Sequence, residues 1–200
     1  MAYLILGLGN PGEEYARTRH NAGRMALELL WKKYNKEEDL SDWKMDKKRA
    51  GLLSKGEMGE EKVELVLPET FMNKSGTSVK DLAGSAKKIE KMIVVHDDMD
   101  LPLGKMKISF DKSSGGHKGV ESIIRAVKSQ KFVRVRIGVT PATASGKLKK
   151  PEGEEKVMSF IVGKLKPAEE EILKKTLKRV AEAVEMIVEE GREKAMGSFN

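Results

Sequence analysis

The sequence predicts one α/β domain, residues 1–200, with a central mixed, mainly parallel, twisted sheet and helices on both of its faces. Strand-like apolar runs alternate with helical patterns along the chain, and two short apolar stretches have the pattern of a hairpin. No domain-sized linker or internal repeat interrupts this alternation. With 200 residues and 39% hydrophobic content, the chain is long enough to bury one sizeable core.

The first elements follow from apolar patterning. An apolar run predicts a strand at about residues 2–8. A helix at about 22–34 starts after Asn21 and carries apolar residues widely around its surface, so it is expected to be well buried. A polar, lysine-rich passage at 36–49 follows without a predicted element.

The rest of the chain continues the alternation. In order, we expect a hairpin of the stretches 50–54 and 63–67, a helix around 79–86, a buried strand at 92–95, a half-exposed strand at 105–110, a helix around 120–127, another alternating strand at 133–139, a basic loop at 140–153 and a final amphipathic helix from Pro167. The two alternating strands can bury one face and offer cations on the other.

Composition excludes several classes of protein. The net charge of +7 favours a polyanionic partner such as nucleic acid, although such an excess also serves solubility. The absence of cysteine excludes disulfides, thiolate metal sites and cysteine nucleophiles, so any nucleophile is oxygen or activated water. No apolar run approaches the roughly 20 residues of a membrane span and no signal-peptide pattern is seen, so a cytoplasmic protein without a membrane partner is expected.

A glycine-rich segment follows the first strand. Residues 7–12 match the dinucleotide fingerprint, but a Rossmann site also needs a helix opening in the turn and an acidic residue about 20 residues on, after a second strand. Here that region lies inside the helix at 22–34. The favoured interpretation is a tight turn that exposes Asn10 and brings Tyr15 and His20 back over the strand end.

An acidic cluster follows the buried strand at 92–95. Asp97, Asp98 and Asp100 can bind Mg²⁺ and support phosphoryl chemistry, because hard cations prefer oxygen ligands. Equally, one of these carboxylates can orient a histidine and stabilise the imidazolium that forms during proton transfer. A plain acidic turn after the strand is the third interpretation.

Two further loops enter helices. The segment 70–76 contributes Asn73, whose carboxamide either caps the next helix or points into a site. The segment 113–119, which contains three glycines and Lys118, predicts either a cradle for a phosphate or carbonyl group or a flexible loop before a helix. The three histidines lack the spacing of metal ligands, so no zinc site is expected.

Five segments carry a resemblance to a known family. They are GLGNPGEEYARTRHNAG at 7–23, PETFMNKSG at 68–76, HDDMDLPLGKMKIS at 96–109, SGGHKGVESII at 114–124 and FVRVRIGV at 132–139. In order and spacing they closely resemble bacterial-type peptidyl-tRNA hydrolases. The resemblance covers nearly the whole chain and is specific, because several independent motifs coincide.

The resemblance implies hydrolysis of the ester between a peptide and the 3′ ribose of tRNA by a monomer with no metal or organic cofactor. It implies that His20 acts as the base, that Asp97 orients it, and that Asn10 and Asn73 hold substrate and water, with Lys118 also at the substrate. The chemistry agrees independently, since a neutral imidazole can accept a proton from water near neutral pH. Carboxamides can also donate to a carbonyl oxygen without adding charge.

Contacts with tRNA are expected from cations on the alternating strands. These cations are Lys105, Lys107, Arg134 and Arg136, which either contact phosphates of the acceptor stem or form a solvated face. Tyr15 can stack or hydrogen-bond near the tRNA end.

The chain departs from the family's pattern at several positions. Lys118 stands where an asparagine is usual, Ser109 where a tRNA-binding lysine is common, and Leu67 where a lysine is common, while the loop at 140–153 is longer than usual. We therefore expect phosphate contacts to shift to a set of neighbouring lysines: Lys105, Lys107, Lys147, Lys149 and Lys150.

Two alternatives to an esterase stay open at this point. One is a Mg²⁺-dependent phosphohydrolase that uses the acidic cluster. The other is a non-catalytic RNA-binding module in which Lys118 has compromised the site.

Overall fold

A seven-stranded mixed sheet forms the centre of the protein in a computed structural model that describes all residues from 1 to 200. The strands are β1 (Tyr3–Gly7), β2 (Lys44–Asp46), β3 (Gly51–Met58), β4 (Glu61–Pro68), β5 (Met92–Pro102), β6 (Met106–Phe110) and β7 (Val133–Thr140). Their order across the sheet is β2-β3-β4-β1-β5-β7-β6. The four strands β4, β1, β5 and β7 are parallel, and antiparallel strands flank them on both sides. The predicted mixed sheet is confirmed, with the parallel pairing in its centre.

Helices cover both faces of the sheet, also as predicted. They are α1 (Ala22–Asn35), α2 (Ala86–Glu90), α3 (Lys118–Val127), α4 (Glu154–Val162), α5 (Pro167–Glu190) and α6 (Arg192–Phe199). A larger apolar core lies between the sheet and α1, α5 and α6, and a smaller one lies under α3 on the other face. Side chains of β1 alternate between these cores, Ile5 entering the larger and Leu6 the smaller. None of the helices combines the length and the apolar character needed to cross a membrane.

The helix expected around 79–86 is the first difference from the prediction. The chain instead forms a long 3₁₀ helix, Met72–Leu82, followed by the short α2. Serine, threonine and glycine are frequent in this segment and have low helix propensity. At Gly76 a Cβ atom would lie 2.2 Å from the carbonyl oxygen of Ser122 in α3, so only glycine allows the close approach of the two helices.

Three elements were not predicted at all. The strand β2 lies inside the lysine-rich passage at 36–49 and is largely exposed, so it lacks the apolar alternation that marks a strand. The helices α4 and α6 have only nine and eight residues, and each follows a glycine with positive φ, Gly153 and Gly191. Strand β5 also continues beyond the predicted end, through a register shift between Asp98 and Pro102.

The parallel centre brings the candidate segments to one edge of the sheet. Strands β1 and β5 are neighbours, so the turn after Gly7 and the acidic segment after Val95 emerge side by side. The helix α1 starts against β5, where a Cβ atom on Gly23 would lie 2.1 Å from the carbonyl oxygen of Val95. This contact holds the residues before α1, including His20, over the end of β5.

Candidate active site

His20 and Asp97 form the centre of the site. His20 lies on a 3₁₀ turn, Arg19–Asn21, that leads into α1, and its Nδ1 is 3.0 Å from both carboxylate oxygens of Asp97. Both residues are buried. The segments that the sequence analysis singled out separately are therefore joined by a hydrogen bond between an imidazole and a carboxylate.

A second imidazole, His117, also binds Asp97. Its Nε2 lies 2.9 Å from Oδ1 of Asp97. Its Nδ1 accepts the backbone N–H groups of Gly119 and Val120 and so caps α3. Burial raises the pKa of the Asp97 carboxyl, but the imidazoles of His20 and His117 outweigh burial and hold that pKa well below its usual range. Sequence analysis missed His117, and the available signal was a histidine directly before a predicted helix.

The third histidine, His96, completes what we call the histidine cluster: His20, His96, Asp97 and His117. The His96 ring is 4.7 Å from the His117 ring, and its Nδ1 lies 2.7 Å from the backbone carbonyl oxygen of Asp97. Burial, reinforced by His117, holds the pKa of the His96 imidazole well below its usual range, so this ring is neutral.

The cluster also contains the one group of side chains arranged like metal ligands. Ligand atoms of His20, Asp97 and His117 all lie within 4.8 Å of one another. The three residues are far apart in the sequence, so ligand spacing did not reveal this grouping. In the structure the same atoms are hydrogen-bonded to one another.

Asn10, in the turn after β1, is held in place by three hydrogen bonds. Its backbone N–H and carbonyl oxygen bind the side chain of Asn21, at 2.8 and 2.9 Å, and its Oδ1 accepts the N–H of Met72 at 2.8 Å. The oxygen of the Asn10 carboxamide is therefore occupied, whereas its Nδ2 has no protein partner and is available to donate. Asn21 was not predicted as a positioning residue.

The other two predicted substrate residues on this side are less constrained. Asn73 is exposed on the 3₁₀ helix Met72–Leu82 and its side chain makes no hydrogen bond, so it does not cap that helix. Tyr15 is half-buried on the 3₁₀ turn Glu13–Tyr15. Like Asn10, neither residue is among those that line the cleft next to His20.

A cleft of about 170 Å³ opens beside His20. One wall is built from the histidine cluster and the acidic segment, and the other from residues of α4: Glu154, Val157, Met158 and Ile161. Two ion pairs, which we call the cleft rim, connect the walls. Lys118 pairs with Glu154 at 3.2 Å and Lys150 pairs with Asp100 at 2.5 Å. The predicted substrate residue Lys118 thus lies at the cleft, half exposed and paired with a carboxylate.

The three aspartates of the acidic segment do not converge. Asp97 binds the two imidazoles, Asp98 pairs with Arg136 at 2.6 Å, and Asp100 reaches the rim lysine. Each carboxylate has its own cationic or N–H partner, so the ligand set expected for a Mg²⁺-dependent phosphohydrolase is not formed.

The four cations predicted on the alternating strands lie in different environments. Lys105 and Lys107 are exposed. Arg134 is only 3% exposed and donates to the carbonyl oxygen of Ser113, and Arg136 is occupied by its aspartate partner. The two lysines are therefore the ones free to meet a phosphate backbone.

Arg19, next to His20, ties the site to the C-terminal helices. Its guanidinium binds Glu169 at 2.7 Å and lies 4.4 Å from the centre of the Phe160 ring. It also lies 3.4 Å from the carbonyl oxygen of Gly163, directly after α4. The turn that carries the imidazole is thus anchored to the end of α4 and the start of α5. Sequence analysis gave this arginine no role.

Comparisons with known proteins give consistent matches to one family. The model of the peptidyl-tRNA hydrolase family matches residues 4–200. A peptidyl-tRNA hydrolase of Caldanaerobacter subterraneus is 41% identical over 199 residues, covering 99% of each chain, and one of Clostridium botulinum is 37% identical over 199 residues, covering 99% of this chain and 96% of the relative. The crystal structure of peptidyl-tRNA hydrolase from Acinetobacter baumannii superposes with a TM-score of 0.85 at 32% identity, covering 100% of this chain and 94% of that one.

Proposed function

The chain belongs to the peptidyl-tRNA hydrolase family and hydrolyses the ester of peptidyl-tRNA to release free tRNA, and we propose that His20 and Asp97 carry out this reaction. The observation that carries the proposal is the pair of 3.0 Å contacts from Nδ1 of His20 to the buried carboxylate of Asp97. They direct one ring nitrogen to the carboxylate and leave Nε2 of an imidazole that lines the cleft without a protein partner.

In the proposed reaction, Nε2 of His20 takes a proton from water as the water oxygen bonds to the ester carbonyl carbon. The tetrahedral intermediate then collapses, the bond from carbon to the ribose oxygen breaks, and His20 returns the proton to that oxygen. Asp97, ionised and bound to Nδ1, stabilises the transient imidazolium. The products are a peptide with a free carboxylate and tRNA with a free hydroxyl.

Asn10 is suited to stabilise the oxyanion. The N–H of Met72 occupies its Oδ1, so the carboxamide presents Nδ2 as a fixed donor. Donors that are held in place before the reaction contribute most, because they do not reorganise as charge develops. We propose that Asn73 and Tyr15, which are less constrained, contact the substrate outside the cleft.

The tRNA backbone is proposed to lie along exposed lysines. Lys105 and Lys107 flank the start of β6, and Lys147 and Lys149 extend the positive surface through the loop before α4. Alanine at Lys105 or Lys147 is expected to weaken tRNA binding and to reduce the slope of log affinity against log salt by about one. The matched control is alanine at Lys36, which directly follows the C-terminal end of α1. Equal salt slopes for all three variants would contradict the proposal that tRNA lies along Lys105 and Lys147.

We also propose that the enzyme acts as a cytoplasmic monomer. The resemblance to the family implies the monomer, and the absence of cysteine fits the reducing environment of the cytoplasm. Sedimentation of the purified protein at working concentrations tests the monomer.

The test of the function is release of N-acylated amino acid from N-acyl-aminoacyl-tRNA by wild type and His20→Ala, each with and without EDTA. We expect turnover that survives EDTA and falls about 10²- to 10⁴-fold in His20→Ala. The variant must keep its circular dichroism and its affinity for tRNA. Full turnover in folded His20→Ala would exclude the imidazole as base, and tRNA binding without turnover by wild type would support the RNA-binding module.

A further inference from the structure

The hydrogen-bond partners of His117 determine which of its nitrogens carries the proton. Backbone N–H groups can only donate, so Nδ1 of His117, which accepts from Gly119 and Val120 at 3.2 and 3.3 Å, is unprotonated. The proton of the neutral ring is then on Nε2, 2.9 Å from Asp97. Because the start of α3 fixes this tautomer, His117 always donates to Asp97.

We propose that His117 is a positioning residue that fixes the orientation of Asp97 and thereby keeps His20 in the tautomer with a basic Nε2. The inference rests on the proposed role of His20 as base. Oδ1 of Asp97 is held by His117, and both oxygens lie 3.0 Å from Nδ1 of His20. The start of a helix is thus coupled to the base through one carboxylate, which both imidazoles contact.

The arrangement predicts an unusual consequence of replacing Asp97 by its isosteric amide. In Asp97→Asn the single oxygen must face His117, because that ring cannot give up its Nε2 proton without losing its cap bonds. The oxygen lies 3.0 Å from Nδ1 of His20 but already accepts from His117. The amide nitrogen, which only donates, takes the other position 3.0 Å from Nδ1 of His20, and it gains an acceptor there only if that Nδ1 is unprotonated. His20 must move its proton to Nε2, where it can no longer accept one from water.

The rescue variant is His117→Asn. Asparagine is a good N-cap residue, so it can keep the bonds to the first turn of α3 while it is too short to reach Asp97. In the double variant Asp97→Asn, His117→Asn, the amide is free to turn its oxygen towards His20. The tautomer with a basic Nε2 is then restored.

Nitrogen-15 NMR of the imidazoles reads these tautomers without turnover, and the chain has only three histidines. At a pH where the rings are neutral, we expect the proton on Nδ1 of His20 and His96 and on Nε2 of His117. In Asp97→Asn the His20 proton moves to Nε2, and in the double variant it returns to Nδ1. A proton on Nδ1 of His117 in wild type, or an unchanged His20 tautomer in Asp97→Asn, overturns the proposal.

Steady-state kinetics gives the second readout. Asp97→Asn should lower kcat by about 10²- to 10⁴-fold, and the double variant should recover at least about ten-fold with KM unchanged. A recovery of kcat supports the proposal, since loss of structure alone cannot raise activity. A folded double variant with a kcat no higher than that of Asp97→Asn overturns the proposal. Failure of the proposed function is distinguishable, because His20→Ala would then keep full turnover while the NMR tautomers of wild type stayed as expected.

Discussion

The histidine cluster and the cleft rim border the same cleft and are held in opposite ways. In the cluster, Asp97 is buried and accepts from two imidazoles whose own positions are fixed by secondary structure. At the rim, Lys118 is 53% exposed and its partner Glu154 is 85% exposed. Exposed pairs of this kind contribute about 0–1 kcal/mol each. This chain therefore fixes its reacting groups firmly and closes its cleft weakly, so substitutions in the two regions should differ greatly in effect.

The largest effect is expected where a firmly held donor is lost. Asn10→Asp keeps the size of the side chain but replaces Nδ2 by a second carboxylate oxygen, which repels a developing oxyanion. We expect kcat to fall about 10²- to 10³-fold in release of N-acylated amino acid. Asn73→Asp is the matched control, because Asn73 is exposed and unpaired, and its kcat should fall much less. Equal losses of kcat in Asn10→Asp and Asn73→Asp would contradict the expectation that a hydrogen-bonded carboxamide contributes more than an exposed, unpaired one.

Residues at the ends of neighbouring parallel strands were the part of the site that sequence could predict. His20 follows β1, and Asp97 lies on β5 just beyond Val95, the residue that pairs with the end of β1, so adjacent parallel strands deliver both residues to one edge. The patterning placed both residues near one edge, and the resemblance to the family implied that Asp97 is the one that pairs with His20. The fold class was predictable for the same reason, since each buried strand and each long helix has a strong periodic pattern.

Contacts made by elements that meet only in the folded protein could not be predicted. The alternation of β7 shows which face Arg134 occupies, but not that the carbonyl oxygen of Ser113 covers that face and buries the arginine. The helix α4, which forms a wall of the cleft, lies in a short polar segment after a glycine. Its position depends on Arg19, 141 residues away from Phe160 in the sequence.

Arg19 links the turn that carries His20 to the helices beside the cleft, and its loss is expected to reduce stability. Arg19→Met keeps the apolar contact with Phe160 but removes the ion pair with Glu169. In that pair the Arg19 side chain is only 8% exposed and the Glu169 side chain 14% exposed. Breaking a mostly buried pair leaves an uncompensated carboxylate, so we expect a loss of about 3 kcal/mol in the free energy of unfolding by urea. Arg19→Lys should lose less, since it keeps the charge without the planar fork. A loss below about 0.5 kcal/mol in the methionine variant would show that the anchor is dispensable.

The free energy of unfolding should depend on pH because His96 is buried in the histidine cluster. The pKa of His96 is held well below its usual range in the folded protein, whereas in the unfolded chain a histidine titrates near its usual value of about 6.5. The unfolded state therefore binds more protons below that value, so the contribution of His96 to stability is fully present above about pH 6.5 and is lost as pH falls. Asp97, whose pKa is also lowered, adds to the loss only below about pH 4.

His96→Gln isolates this contribution. Between pH 6 and pH 5 the free energy of unfolding of wild type should fall more steeply than that of the variant, by up to about 1.4 kcal/mol per pH unit. Each protein is compared with its own value at pH 8, so a constant cost of the substitution cancels. Parallel curves would mean that His96 is protonated equally in the folded and unfolded states.

The smallest effect is expected at the cleft rim, where Glu154, in an exposed ion pair with Lys118, competes with a polyanionic substrate for that lysine. Glu154 neutralises Lys118, and a tRNA phosphate must compete with it for that lysine. Glu154→Gln should therefore lower KM for N-acyl-aminoacyl-tRNA at low salt by no more than about five-fold, the factor that corresponds to 1 kcal/mol, with kcat unchanged. The gain should disappear at high salt, where such interactions are screened.

The neighbouring Glu155 supplies a matched control for the rim. It is exposed on the same turn of α4, carries the same charge and has no ion-pair partner, so Glu155→Gln makes the same change in net charge without freeing Lys118. A larger effect of Glu154→Gln than of Glu155→Gln assigns the gain to the released lysine. Lys118→Asn should remove the difference between the two glutamine variants, because no lysine is then left to release. If the two glutamine variants still differ in KM when Lys118→Asn is also present, Glu154 acts through its negative charge in the cleft. The ion pair between Lys118 and Glu154 then has no separate role in substrate binding.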